Sequence, residues 1–356
     1  MRNETDTVLE LRKDPIIGRW VIISTERARR PSAFSSVPER SAAKLCPFCP
    51  GREQNTPSEI LAYRGDGSSA DQPGWSLRVF PNKYPALRVE GELQRMPKGM
   101  YDKMTGIGAH EVIVETADHQ IDLADMSDKA VRDIFWAYRE RMLDLERDSR
   151  FRYILIFKNH GEAAGASLEH SHSQLIATPI IPKRVVEKLE GARRYYEYKE
   201  RCIICDIIRQ ELEDGERVVC DYDAFLAFQP FAARFPFETW LVPKSHQSHY
   251  LDMSDAEYMV LARGMKDILR RLKHALNDPP FNYMLHTRPI SRESKEYYHW
   301  HIEIIPKLTR VAGFEWGSGF YINPTAPEEA AAYLASLDIN VPDGDTDQST
   351  TAKKQP

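Results

Sequence analysis

Residues 46–49 read CPFC, and His119 and then HSH at residues 170–172 follow them. The same order returns later in the chain, with CIIC at residues 202–205 and HWH at residues 299–301. Two thiolates from a C-x-x-C turn and two histidines can bind one tetrahedral metal ion. The repeat therefore predicts two related halves, each with a structural zinc site. The expected ligands are Cys46, Cys49, His119 and His170 in the first half, and Cys202, Cys205, His246 and His299 in the second.

A second match between the halves concerns the histidine that stands alone in each copy. His119 precedes Ser127 by eight residues, and His246 precedes Ser254 by the same distance. Each serine opens a Ser-Asp pair, which favours a helix N-terminus. This local match favours His119 over His110 as the first-half ligand, and it supports a duplicated fold. For either C-x-x-C taken alone, a redox pair is the alternative interpretation.

Strand-like segments alternate with long helical ones, which is typical of an α+β fold. Helices are expected at about residues 127–148, 182–201 and 254–277. Strands are expected at residues 20–24, 110–115, 153–158, 172–177, 224–228, 238–243, 283–286 and 299–306. The expected domains are residues 1–195, with the nucleophile and the first zinc site, and residues 196–342, with the second. Residues 343–356 are expected to form a disordered tail.

Composition excludes several classes of protein. The chain has 356 residues, 42% of them hydrophobic, which is enough for two domains with sizeable cores. Its net charge of −5 argues against a nucleic-acid partner, which normally requires a basic face. No apolar run is long enough to span a membrane, and the polar N-terminus carries no signal peptide. We therefore expect a cytoplasmic protein, whose thiols stay reduced.

The segment NHGEAAGASLEHSHSQ at residues 159–174 is the expected active site. Alternate residues of a strand share a face, so His170, His172 and Gln174 should point the same way. His170 could then bind metal while His172 reaches the adjoining cleft. The glycines allow the backbone to approach a phosphate closely, and Ser167 and Gln174 add hydrogen-bond donors. The alternatives for His172 are a second metal ligand or a hydrogen-bonded core histidine.

The second copy lacks these features of a phosphate-binding site. Glu303 stands where the first copy has Gln174, and its carboxylate would repel a phosphate. The residues before the second His-x-His are SKEYY at 294–298, which are bulky and contain no glycine. His301 is therefore expected to be a structural or cleft-lining residue, and His172 to be the nucleophile. An imidazole beside a phosphate cradle indicates ping-pong nucleotidyl transfer, in which the histidine holds the nucleotide between two half-reactions.

These residues resemble the galactose-1-phosphate uridylyltransferases, a family of the histidine-triad (HIT-like) superfamily. The resemblance covers about residues 9–335 and is carried by CPFC, FPNKYPAL, FKNHGEAAGASLEHSHSQ, FPFETWLVPKSH and HWHIEIIP. It implies two tandem HIT-like halves with antiparallel sheets and packed helices, and a homodimer. It also implies that His172 is the nucleophile and His170 a zinc ligand beside Cys46, Cys49 and His119.

The same resemblance implies a set of substrate contacts. Arg27 and Arg30, in TERARRP, match nucleotide-phosphate-binding arginines, although the residues alone favour an ordinary solvated face. Asn82 and Asn159 match nucleotide and phosphate contacts. The positions that match phosphoryl-binding residues are Gly165, Ser167 and Gln174.

Three features depart from the best-known bacterial members, which have His-Pro-His and lack the second cysteine pair. They are Ser171, the pair at residues 202–205 and the stretch 313–321. All three resemble a branch that includes plant ADP-glucose phosphorylase, whose intermediate is an adenylyl-histidine and whose acceptor is phosphate. The leading expectation is exchange of a uridylyl group between UDP-glucose and galactose 1-phosphate. The alternatives are an ADP-glucose phosphorylase or adenylyltransferase, a histidine-triad nucleotide hydrolase and, more distantly, a zinc-stabilised binding module.

Overall fold

The computed structural model describes residues 8–26, 46–65 and 67–339. The first-half strands are β1 (Leu9–Lys13), β2 (Trp20–Ser24), β3 (Leu61–Arg64), β4 (Trp75–Pro81), β5 (Ala109–Val114), β6 (Tyr153–His160) and β7 (His172–Thr178). The second-half strands are β8 (Val218–Asp221), β9 (Phe225–Phe228), β10 (Thr239–Pro243), β11 (Phe281–His286), β12 (His301–Pro306) and β13 (Tyr321–Asn323). The helices are α1 (Asp128–Leu145), α2 (Lys183–Lys199), α3 (Ile203–Asp214), α4 (Asp255–Leu276), α5 (Gly313–Ser318) and α6 (Pro327–Ser336).

Helices α1 and α4 begin at the two serines that the sequence singles out. Ser127 accepts a hydrogen bond from Ala130 N at 3.2 Å, which satisfies one free amide of the first turn. Ser254 forms a capping box with Glu257, whose Oε2 lies 2.7 Å from Ser254 N. The expectation of a helix after each serine is confirmed. α4 ends at Asn277, which adopts a left-handed conformation with φ of 55°.

The main sheet has ten strands in the order β3-β4-β5-β7-β6-β11-β12-β10-β9-β8. Read from either edge, each half lists its strands in the same order: first, second, third, fifth and fourth. The halves meet where β6 and β11 pair antiparallel, with Asn159 opposite Asn282. The sheet is therefore continuous, and the duplication appears as a pseudo-twofold relation about this central pair. A small separate sheet joins β1, β2 and β13.

One face of the large sheet packs on α1 and α4. Its core joins strand residues such as Ile113, Leu175 and Ile304 to Phe135 of α1 and Met265 of α4, all of them fully buried. Burial of this much apolar surface is the main force that holds the two halves together. The helix layer therefore spans both halves beneath one sheet.

The opposite face differs between the halves. In the second half, α2 and α3 cover it, and Ile203 and Ala192 pack against Phe228 and Trp240. In the first half it carries a smaller cluster that includes Phe80 and Val112 and the partly buried Phe48. β7 presents His172 and Gln174 to this same face, because Leu175 and Ala177 point into the helix-side core.

The expected α+β class, with antiparallel sheet and packed helices, is confirmed. β7 begins at His172, so His170 lies just before the strand rather than within it. α3 was not predicted, and the second cysteine pair lies at its start rather than in a turn. Residue 195, the proposed end of the first domain, lies inside α2, and the tail at 343–356 lies outside the described residues. None of the helices in the described part of the chain has the length and apolar character needed to cross a bilayer.

Candidate active site

The four first-half ligand candidates converge on one point. Cys46 Sγ and Cys49 Sγ each lie 3.7 Å from His170 Nδ1, and Cys49 Sγ lies 3.5 Å from His119 Nδ1. The sulfur–nitrogen edge of a tetrahedral zinc site is about 3.6 Å, given ordinary Zn–S and Zn–N bonds. His170 Nε2 donates to Thr116 O at 2.8 Å, which leaves Nδ1 as the nitrogen available to a metal. The cluster therefore fits a tetrahedral ion.

The second-half cluster has the same geometry. Cys205 Sγ lies 3.4 Å from His246 Nδ1 and 3.5 Å from His299 Nδ1, and Cys202 Sγ lies 3.8 Å from the latter. The Nε2 atoms of both histidines face backbone oxygens. His246 Nε2 lies 3.0 Å from Lys295 O, and His299 Nε2 lies 2.9 Å from Pro243 O. In each cluster all four ligand atoms lie within 4.8 Å of one another. Both donor sets are those that structural zinc sites use.

His172 is placed as a nucleophile would be. Its Nδ1 donates to His170 O at 2.8 Å, which fixes the tautomer and leaves Nε2 with its lone pair. Among the described residues nothing hydrogen-bonds to Nε2. Burial, followed by the nearby Lys158 ammonium, lowers the pKa of His172 to about 4, so the imidazole is neutral near pH 7. A neutral ring with one free nitrogen can attack phosphorus.

Phe48 connects the first metal cluster to this imidazole. Its ring packs edge-on against His172 at 5.3 Å, His170 at 6.3 Å and Phe80 at 5.6 Å between centroids. Such edge-to-face contacts stabilise ring orientation beyond simple burial. Phe48 lies between the two cysteines of CPFC, so a metal bound by these cysteines would also fix the ring that packs against His172. The position of Phe48 inside the CPFC motif was a signal in the sequence, but the sequence alone assigned it no role.

A buried polar network lies at the start of β7, the strand that begins at His172. Lys158 Nζ donates to Glu115 Oε2 at 2.5 Å, to Ser171 Oγ at 3.0 Å and to the carbonyl of His172 at 3.1 Å. Ser171 Oγ donates to the same carboxylate oxygen at 2.7 Å. Ser171 is the residue that departs from the His-Pro-His pattern, and a proline could not make these bonds. The network therefore fixes the backbone that carries His172.

Gln174 lies two residues beyond His172 and faces the same side of the sheet. Its Oε1 lies 2.8 Å from His110 Nε2. His110 Nδ1 in turn accepts a hydrogen bond from Ala86 N, 3.1 Å away, and Asn82 Nδ2 lies 3.2 Å from His110 Nε2. The FPNKYPAL loop and the strand of the nucleophile thus meet at His110.

The loop before His172 is tied to the second half of the chain. Asn282, on β11, donates to Asn159 Oδ1 and to Ala164 O, both at 2.8 Å. Gly165 has a φ of 90°, which a residue with a side chain rarely adopts. Ser167 and Gly165 are both exposed, as contacts to a bound phosphate should be before it binds. Asn282 gave no sequence signal, because only the pairing of β6 with β11 brings it here.

The corresponding place in the second half is filled by an ion network. Lys188 Nζ lies 2.9 Å from His301 Nε2 and 2.5 Å from Glu303 Oε1, and Arg234 donates to Glu303 Oε2 at 2.6 Å. Burial alone would raise the pKa of Glu303, but Lys188 and Arg234 lower it well below its usual value. Trp240 stacks on the His301 ring at 4.8 Å. His301 therefore has no free nitrogen with which to attack.

A cavity of about 550 Å³ lies next to this network, walled in part by Phe228 and Trp240. Its charged lining has more carboxylates than cations, which disfavours a phosphate. The acidic side chains are Asp14, Asp206, Glu211, Asp214 and Glu238, and the basic ones are Lys13, Arg19 and Arg217. His172 does not line it, so the geometry of the nucleophile rather than cavity size identifies the candidate site.

The structure gathers most of the expected site residues on one face of the first half. Gln174 and Asn82 meet at His110 Nε2, and Asn159 Nδ2 lies 3.5 Å from Gly165 O in the loop that also carries Ser167. His172 lies two residues before Gln174 on β7 and faces the same side. Arg27 and Arg30 lie outside the described residues. The residues that sequence reasoning missed are Phe48, His110, Glu115, Lys158 and Asn282.

Comparisons with known proteins agree with this arrangement. The family description "Galactose-1-phosphate uridyl transferase" matches residues 1–182 with its N-terminal domain and residues 188–335 with its C-terminal domain. ADP-glucose phosphorylase of Arabidopsis thaliana is 38% identical over 337 residues, which are 93% of each chain. Galactose-1-phosphate uridylyltransferase of Thermotoga maritima is 32% identical over 343 residues, 94% of this chain and 100% of the relative.

Solved structures show the same fold. An ADP-glucose phosphorylase from Arabidopsis thaliana with bound ADP-glucose superposes with a TM-score of 0.79 at 36% identity, covering 93% of this chain and 99% of the other. A uridylyltransferase structure gives 0.72 at 29% identity, covering 92% of this chain and 98% of the other. Fold, site and relatives together define a nucleotidyltransferase. The chain belongs to the galactose-1-phosphate uridylyltransferase family.

Proposed function

We propose that this enzyme is an ADP-sugar phosphorylase that works through an adenylyl-histidine on His172. The observation that carries the mechanism is the imidazole whose Nδ1–H is held by His170 O while Nε2 is free. The choice of adenylyl and phosphate is supported by the 38% identity to a plant ADP-glucose phosphorylase, against 32% to a uridylyltransferase. These relatives favour the alternative over the leading expectation of uridylyl exchange.

In the first half-reaction, His172 Nε2 attacks the α-phosphorus of ADP-glucose. A P–N bond forms, the bond from that phosphorus to the bridging oxygen breaks, and glucose 1-phosphate leaves. In the second, an oxygen of inorganic phosphate attacks the same phosphorus, so that ADP forms and His172 is released. Gln174 and the exposed loop with Gly165 and Ser167 donate hydrogen bonds to the phosphoryl oxygens in both steps, so one set of donors serves twice.

The two cysteine–histidine clusters are proposed to hold one zinc ion each. Each offers four ligands and leaves no open position, so both ions are structural. The first fixes His170 and Phe48 beside His172, and the second fixes the start of α3. We also propose two domains that divide near residue 195, a homodimer, and a cytosolic location in which the thiols stay reduced. Elemental analysis should give two zinc ions per chain, and one ion would remove a site from this account.

The function is tested by labelling. The protein is incubated with ADP-glucose or UDP-glucose labelled at the α-phosphate, and the acid-labile, base-stable adduct of a phosphohistidine is measured. Phosphate or galactose 1-phosphate is then added to see which one discharges the label. We expect labelling from ADP-glucose and discharge by phosphate. Labelling from UDP-glucose with discharge by galactose 1-phosphate would restore uridylyl exchange, and labelling from neither would end both.

A further inference from the structure

We infer that His110 is a positioning residue that orients the Gln174 amide so that its N–H groups face the phosphoryl group. This inference rests on the proposed function. It starts from β5, where Glu111 and Ile113 face the helix layer. His110 must therefore point to the opposite face, which is the face that carries Gln174. The two side chains meet there at 2.8 Å.

The tautomer of His110 follows from the contact at its other ring nitrogen, Nδ1. Ala86 N–H points at Nδ1 over 3.1 Å, so Nδ1 must be the acceptor and Nε2 must carry the proton. Nε2 has two neighbours, Gln174 Oε1 at 2.8 Å and Asn82 Nδ2 at 3.2 Å. An amide nitrogen cannot accept a hydrogen bond, so the Nε2 proton is donated to Gln174 Oε1. The two ends of the Gln174 amide are thereby distinguished: its oxygen is held by His110, and its NH₂ group is directed away from His110.

This orientation matters because the amide has two ends of opposite character. With the NH₂ group towards the cleft, Gln174 donates to a phosphoryl oxygen whose negative charge grows in the transition state. With Oε1 towards the cleft instead, Gln174 would place a carbonyl lone pair against the phosphoryl oxygen, and the two oxygens would repel each other. Without His110 both orientations become available. The expected loss is therefore in the rate of the chemical step rather than in substrate affinity.

Another role for His110 would be to anchor the loop at residues 82–87, because it accepts from Ala86 N and its backbone oxygen accepts from Asn82 N at 2.7 Å. Two substitutions separate these roles. In His110→Gln the amide nitrogen can take the place of Nε2 and keep the donor to Gln174. In His110→Asn the amide oxygen can take the place of Nδ1 and keep the acceptor for the loop, but the donor is lost.

The experiment measures the single-turnover rate of adduct formation from labelled ADP-glucose, together with the dissociation constant of the substrate. We expect His110→Asn to slow adduct formation by about 10- to 100-fold with little change in the dissociation constant. His110→Gln should stay close to the unsubstituted protein. In a Gln174→Ala background, His110→Asn should cause no further loss, since its effect acts through Gln174.

The opposite order, with His110→Gln slow and His110→Asn normal, would assign His110 to the loop and overturn the inference. A full additional loss in the Gln174→Ala background would also overturn it. No adduct in the unsubstituted protein with either nucleotide sugar would overturn the proposed function and this inference with it. An adduct that forms equally fast in His110→Asn would overturn the inference alone.

Discussion

His172 and His301 show how two similar residues acquire different chemistry from their contacts. Each donates its Nδ1 proton to the carbonyl two residues earlier, at 2.8 Å and 3.0 Å. Burial lowers the pKa of both rings, that of His301 to about 3 with Lys188 as the next cause. The difference lies at Nε2, which Lys188 engages in His301 and which is free in His172 among the described residues. One extra lysine contact separates a structural histidine from a candidate nucleophile.

Glu115 offers a test of the network behind the nucleophile. Glu115→Gln removes the negative charge that neutralises Lys158 in a site with almost no solvent exposure. We expect it to lower the free energy of unfolding by about 3–5 kcal/mol, because an uncompensated buried ammonium remains. Urea denaturation measures this loss. Glu190→Gln, on the exposed face of α2, is the matched control and should change stability by no more than about 0.5 kcal/mol. Equal effects in the two variants would contradict this account of the network.

Ser171 belongs to the same network but carries no charge. Ser171→Ala removes one hydroxyl that joins Glu115 to Lys158, so the expected cost is about 1–2 kcal/mol, well below that of Glu115→Gln. Adduct formation should slow because the backbone beside His172 is less firmly held. Unfolding curves and single-turnover rates give both quantities. A variant as unstable as Glu115→Gln would show that the hydroxyl rather than the ion pair dominates.

The pairing of β6 with β11 brings the second half to the active site. Asn282 is the residue through which this happens, since it donates to both Asn159 and the loop carbonyl of Ala164. β11 is thus part of the cleft although its own half contains no nucleophile.

Asn282→Asp tests this connection. The substitution keeps the size of the side chain but removes both donors, so Asn159 on β6 and the loop at residues 161–170 each lose one hydrogen bond. Net bonds of this kind are worth about 0.5–1.5 kcal/mol each, so we expect adduct formation to slow by roughly 10-fold. Asn282→Ala should behave similarly, and rapid-quench kinetics measure both. Rates equal to that of the unsubstituted protein would show that the loop is ordered without β11.

Local sequence patterns predicted the elements that repeat. The serine caps gave α1 and α4, and the alternating segments gave the central strands, to within a few residues. The edge strands β3 and β8 were missed, as were β4 beside β3 and the strands β1 and β13 of the small sheet. Helix α3 was also missed, and its first turn contains the cysteine pair assigned to a turn. Short edge strands carry a weak pattern, because their burial depends on neighbours that are distant in sequence.

The candidate site was predictable where its chemistry lies in one motif. The C-x-x-C pairs and the His-x-His triplets are short motifs that recur in the same order, so their ligand chemistry could be read directly. Lys188 could not be assigned, because only the packing of α2 against the second half brings it to His301. Asn282 could not be assigned, because only the pairing of β6 with β11 brings it to Asn159. His110 was considered only as a metal ligand, since nothing in the sequence places a lone strand histidine beside Gln174.

The two halves are related by a pseudo-twofold axis but differ on the sheet face opposite α1 and α4. In the second half, α2 and α3 cover the face that bears the nucleophile in the first, and Lys188, Arg234 and Glu303 fill the pocket. We propose that catalysis is confined to the first copy.

Lys188→Met tests the closed half. The substitution leaves Glu303 with Arg234 as its remaining cationic hydrogen-bond partner and frees His301 Nε2, so stability should fall by about 3 kcal/mol. Adduct formation on His172 should continue at a similar rate, because Lys188 lies on α2 and contacts His301 and Glu303 of the second half. Chemical denaturation and the labelling assay give the two values. Loss of labelling in a folded Lys188→Met protein would show that the second half takes part in the chemistry.

The most direct measurement is the mass of the intact protein after a short incubation with ADP-glucose, made on three proteins in parallel. The unsubstituted enzyme and His301→Ala should both gain one adenylyl group, and His172→Ala should gain none. Added phosphate should remove the group from the first two and produce ADP. An adenylyl group on His172→Ala, or its absence from His301→Ala while that protein remains folded, would contradict the assignment of His172 as the one nucleophile.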